Sequence, residues 1–115
     1  MIVNLVFAAA TMLDCQYNFM GAPTAGVRMS VDANGKPGIS AEITMSGRTH
    51  KETVTPAELQ DGQFAHVWLS KENPNNAIEM IVYRQPQANG NSVLINHNVP
   101  INKEMWGECA GVPAN

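Results

Sequence analysis

The fold class this sequence predicts is all-β: a small antiparallel barrel or sandwich of seven to eight strands. Three observations carry that expectation. Apolar and polar residues alternate with period two through most of the chain from Leu13 onward. Turn chemistry rich in Gly, Pro and Asn interrupts the alternation at intervals of roughly 10–14 residues. The chain's two cysteines, Cys15 and Cys109, fall on the first and last alternating segments. A disulfide between them requires those two strands to be adjacent, with Cα atoms about 4.4–6.8 Å apart.

The elements follow in order. Leu13, Cys15, Tyr17 and Phe19 alternate with Asp14, Gln16 and Asn18, a strand with one buried face, and Gly21-Ala22-Pro23 breaks it. Val27, Met29 and Val31 point inward on the next segment. Asn34-Gly35-Lys36-Pro37-Gly38 is a strong turn signal, after which Ile39, Ala41, Ile43 and Met45 resume the inward set. Ser46-Gly47 ends that strand and Thr49–Val54 is a short extended piece. Thr55-Pro56-Ala57-Glu58 carries a capping-box signature, with Pro56 at the first helical position and Gly62 as a stop, so one short helical turn is expected near 56–61. In Phe64–Ser70 the residues Ala65, Val67 and Leu69 form one face and Phe64, His66 and Trp68 the other. Ile78, Met80 and Val82 line the inside of the next strand, then Val93, Ile95, His97 and Val99, then Met105, Gly107 and Cys109.

Length and composition bound the possibilities. A chain of 115 residues makes one domain, taken here as 11–115, able to bury a single core. Net charge of −3 and the lack of any Lys/Arg run argue against nucleic acid or an anionic membrane surface as partner. A Cys15–Cys109 disulfide implies an oxidising compartment, secreted or periplasmic; the alternative is a pair of reduced, buried thiols. Residues 1–10 read either as the remnant of a signal peptide, an apolar stretch with a small-residue exit but no basic start, or as a first strand. The stretch is too short to span a bilayer as a helix.

No motif reaches a specific chemistry. His50, His66 and His97 sit on separate segments without metal-ligand spacing, so no metal site and no cofactor is expected. The methionines Met29, Met45, Met80 and Met105 fall on inward faces and read as core filler. Ser46 lies close to His50 in sequence, but the Gly-x-Ser-x-Gly elbow is absent, and the strand carboxylates Asp14, Asp32, Glu42, Glu79 and Glu108 alternate outward. Binding is the better supported class. Trp68 flanked by His66, and Trp106 flanked by Glu108, pair an aromatic with a polar neighbour, as ligand pockets and partner hot spots do. Arg48 and His50, in the locally basic loop Gly47–Lys51, and the loop Gln85–Asn91 are further contact candidates.

Small exported β-barrels that inhibit lysozyme also place cysteines near both ends. Their inhibitory motif is not recognisable in this sequence, and Ser46-Gly47 alone does not supply it, so no family is assigned. Three functions remain to be separated. The first is an exported, non-catalytic β-domain that binds a protein or cell-envelope component, as a monomer or weak dimer. The second is a carrier of small apolar ligands with a lipocalin-like internal pocket. The third is a hydrolase whose site would need His66 or His97 bonded to a carboxylate or hydroxyl in a cleft.

Overall fold

The computed structural model describes residues 11–19, 22–45, 47–72, 77–90, 92–97 and 103–112. Among the described residues eight strands run in chain order: β1 (Thr11–Phe19), β2 (Ala22–Val31), β3 (Pro37–Met45), β4 (Arg48–Pro56), β5 (Gln63–Leu69), β6 (Ile78–Tyr83), β7 (Val93–His97) and β8 (Lys103–Ala110). Each pairs antiparallel with its neighbour in sequence, and β8 returns to β1, so the meander closes into a barrel. This decides barrel against sandwich. Among the described residues no helix is long and apolar enough to cross a membrane.

Closure is made where the cysteines predict it. Cys15 on β1 is directly opposite Cys109 on β8, and the sulfurs lie at disulfide distance with Cα atoms 3.9 Å apart, closer than the expected lower limit of about 4.4 Å. Inward side chains fill the barrel. Leu13, Val27, Met29, Val31, Ile43, Phe64, Val67, Leu69, Met80, Val82 and Val93 are all buried, and Met105 closes the group. An eight-stranded barrel has an interior just wide enough for such packing. The side chains of Tyr17, Phe19, Met45, Ile95 and His97, and residues 1–10, 46 and 99 entirely, lie outside what is described.

Four sequence expectations are corrected. Residues 56–61 form no helical turn. Thr55 and Pro56 stay in β4 opposite Trp68 and Val67, and the Ala57 N–H donates to the His66 carbonyl at 2.9 Å. A backbone committed to that ladder is not free to start a helix, so the capping box goes unused. Phe64 does not share a face with His66 and Trp68. A register shift between Gln63 and Ala65 makes Phe64 an extra residue on β5, and it turns inward beside Ala65. Ile39 is not inward either. Met29 pairs with Ala41 but Val31 with Pro37, so β3 carries the surplus residues there and Ile39 is left 87% exposed. Finally, Arg48–Lys51 is strand rather than loop.

The β2–β3 turn is built by Asp32. Its carboxylate accepts from the Asn34 N–H at 2.8 Å and the Lys36 N–H at 2.9 Å, and its carbonyl accepts from the Gly35 N–H at 3.0 Å. Gly35, at φ 79°, is buried against the main chain of Phe64, where the turn closes one end of the barrel. Arg84 covers the Phe64 ring, its guanidinium carbon 5.2 Å from the centroid.

Candidate functional site

His66 and Trp68 alternate with the fully buried Ala65, Val67 and Leu69, so both face outward on β5 and are half-buried. Trp106 faces outward on β8, between buried Met105 and Gly107, and stacks on Tyr83 of β6 with centroids 6.1 Å apart and an interplanar angle of 17°. His66 and Trp106 occupy one row across the sheet, through Ile81 and Leu94. Three strand spacings separate them, about 14 Å at the usual interstrand distance. The tryptophans and His66 therefore do not converge on one pocket.

His66 instead organises a cleft at the barrel end. Its Nδ1 is 2.9 Å from the Glu58 carbonyl oxygen and its Nε2 is 2.8 Å from Oε2 of Glu79. A carbonyl only accepts, so Nδ1 donates to Glu58, and the ring ties the loop that follows β4 to the outer face of β6. The other wall is the β2–β3 turn. Asn34, Gly35, Lys36 and Pro37 from that turn, with Pro56, Ala57, Leu59 and His66, enclose a cleft of about 320 Å³. Both walls are held in place: the turn by Asp32, and the loop by Gln63, whose N–H donates to the Gln60 carbonyl while its side chain accepts from the Gln60 N–H.

This arrangement bears on catalysis. A histidine paired with a carboxylate in a cleft is the feature the hydrolase reading asks for. Here, however, the second ring nitrogen is already engaged by Glu58, so neither is left to take a proton from a nucleophile. Replacing His66 with Ala should cost about 1–3 kcal/mol, because it strips the Glu79 carboxylate of its donor and frees the loop. Urea unfolding checks the magnitude. Faster amide exchange confined to residues 57–62 identifies the loop as the part released.

Arg48 and His50 belong to a different part of the molecule. On β4 they share the inward side with Glu52 and Val54, but at this end the strand runs on past β5 and both are exposed. Glu52 accepts the Ser70 hydroxyl, and His50 Nε2 lies 2.9 Å from its other oxygen. The carboxylate thus stands between hydroxyl and imidazole, whereas a nucleophilic triad places the imidazole in the middle. The trio fastens the end of β5 to β4. Ser70, buried at φ 57°, turns the chain away immediately afterwards.

The residues that sequence reasoning missed are Glu58, Glu79, Glu52 and Ser70. Glu79 was visible as a strand carboxylate, but only the β5–β6 register shows that it neighbours His66. Among the described residues no group of three or more His, Cys, Asp or Glu is placed to hold a metal ion. Comparison with protein-family models, with curated proteins and with solved structures finds no match.

Proposed function

We propose that this chain is an exported, non-catalytic β-domain, secreted or periplasmic, that binds a protein or cell-envelope component through the cleft beside His66. The observation that carries the reading is apolar exposure on both walls of a preformed cleft. Leu59, 43% exposed, lies on one wall with Pro56 and Ala57, and the half-buried Pro37 lies on the other. Rigid walls lower the ordering cost of binding, and the volume sits at the small end of the usual range of about 300–1,000 Å³. That suits one or two apolar side chains of a partner better than a lipid. A core filled by inward side chains likewise favours this reading over an internal carrier pocket. The cysteine pair is compatible with an oxidising extracellular compartment. The barrel's apolar inside and its charged outside, with Asp14, Arg28, Glu42 and Lys51, reverse the pattern of a membrane-spanning barrel.

The test is a photo-crosslinker placed at Leu59 in protein recovered from its native compartment. One discrete protein or glycan adduct is expected, lost in Pro37→Asp, which puts a charge on the opposite wall, and retained in the control Lys71→Asp. Equal labelling from a crosslinker at Lys71 overturns the cleft as the contact site. A lipid retained on native mass spectrometry moves the assignment to the carrier. Two free thiols after alkylation under denaturing, non-reducing conditions overturn the export claim.

A further inference from the structure

We infer that two copies of this chain associate through the free edge of β4, with Arg48–Glu52 of one copy adding antiparallel to the same segment of the other about a twofold axis at His50. Backbone parity fixes which main-chain groups this edge presents. Thr53 accepts from the Ser70 N–H at 3.0 Å, and Ala57 donates to the His66 carbonyl, so residues 53 and 57 present their main-chain groups to β5. Alternation along the strand puts the N–H and C=O of Thr49 and Lys51 on that same side. There β5 has already ended: its pairing with β4 covers only Val54, Thr55 and Pro56, and Ser70 turns away. Among the described residues no strand pairs with this edge, and Arg48, Thr49, His50 and Lys51 are all exposed. Such an edge is a template for another strand.

The segment is complementary to itself. A twofold axis at His50 sets Thr49 opposite Lys51 of the second copy, the two residues whose main-chain groups point outward, so both can form hydrogen-bonded pairs. The same axis sets Arg48 opposite Glu52 of the second copy, twice over. Glu52 is reachable, with its side chain 26% exposed, and a carboxylate accepting from Ser70 and His50 has lone pairs to spare for a guanidinium. Neighbouring registers do worse. Centring on Thr49 sets Arg48 against His50 and leaves Glu52 unmatched. Centring on Lys51 sets Thr49 against Thr53, whose carbonyl is already taken by Ser70. The matching register is isologous and closes at two copies. It leaves the His66 cleft, on the far side of the β4–β5 pairing, open in each copy.

Sedimentation and amide exchange over a concentration series reaching about 1 mM, where small interfaces are populated, test this. A monomer–dimer equilibrium is expected. Protection of the Thr49 and Lys51 amides should grow with concentration, while the His50 and Glu52 amides, which face β3, stay constant. Lys51→Pro deletes the outward N–H without touching the Ile43–His50 and Ala41–Glu52 pairs, and should be monomeric. Arg48→Glu leaves the backbone untouched and replaces two attractive cross-strand pairs by repulsive ones, which should raise the dissociation constant about tenfold. Under mild oxidation His50→Cys should form a covalent dimer and Arg48→Cys should not. A chain monomeric throughout the series overturns the inference and leaves Lys51 as a guard against edge pairing. So does an undiminished dimer in both Lys51→Pro and Arg48→Glu, or equal cross-linking of the two cysteine variants.

Discussion

Removing the Cys15–Cys109 bridge, by reduction or by the double substitution to Ala, is expected to lower the unfolding free energy by about 4–5 kcal/mol. The two residues are 94 positions apart, so the bridge closes most of the chain into a single loop. In the chain-entropy model a loop of that length restricts the unfolded ensemble about as strongly as one disulfide can. The loss is large against the roughly 5–15 kcal/mol that holds a typical domain together, so the bridge-free protein should be marginal. Urea titrations with and without reductant measure the change directly. The expected companion is a fall in Tm of roughly 15–25 °C. Because Cys15 is fully buried and Cys109 packs against the core, the Ala variant also removes core volume and should be no more stable than the reduced protein. A difference under 1 kcal/mol would mean that β1–β8 pairing alone closes the barrel.

Gly35→Ala is expected to cost about 3 kcal/mol or more, an unusually large effect for one added methyl group. Two penalties combine. At φ 79° an L side chain crowds the following carbonyl, at roughly 1–2 kcal/mol. The new Cβ also runs into the Phe64 carbonyl carbon and oxygen, and backbone cannot swing aside as a flexible side chain would. Gly47→Ala separates the two. It has nearly the same φ, 77°, but a Cβ there meets nothing within 4 Å, so only the conformational penalty of roughly 1–2 kcal/mol should appear. The comparison by thermal or urea unfolding isolates the contact between turn and bulge. The same displacement should loosen the wall of the His66 cleft, read as faster exchange of the Asn34 and Lys36 amides.

Much of the architecture was legible in the residues. Alternation identified the inward sets Leu13–Cys15, Val27–Val31, Ala41–Ile43 and Met80–Val82, and Asn34-Gly35 marked the turn that Asp32 builds. The cysteines on like-facing strands foretold that β1 meets β8. The candidate site was less legible. His66 and Trp68 were singled out as neighbours on one face, which they are, but Trp106 stacks on Tyr83 of β6 instead of joining them. Arg48 and His50 were read as loop residues and lie on a strand that outruns its partner.

What the sequence determined by itself is local: strand periodicity, turn chemistry, the sidedness of the core, and a cysteine pair whose bonding demands closure. Each depends on neighbours within a few residues or on one covalent constraint. Tertiary structure decided the rest, because the rest depends on register between strands far apart in the chain. One surplus residue at Phe64 turns its ring inward, and the β2–β3 irregularity turns Ile39 out. Pairing of Pro56 with Val67 overrides a helix signal, and the β5–β6 register sets Glu79 beside His66. The early end of β5 at Ser70 bares the β4 edge. No local pattern encodes these outcomes: a ladder offset by a single residue exchanges the faces of every side chain beyond it.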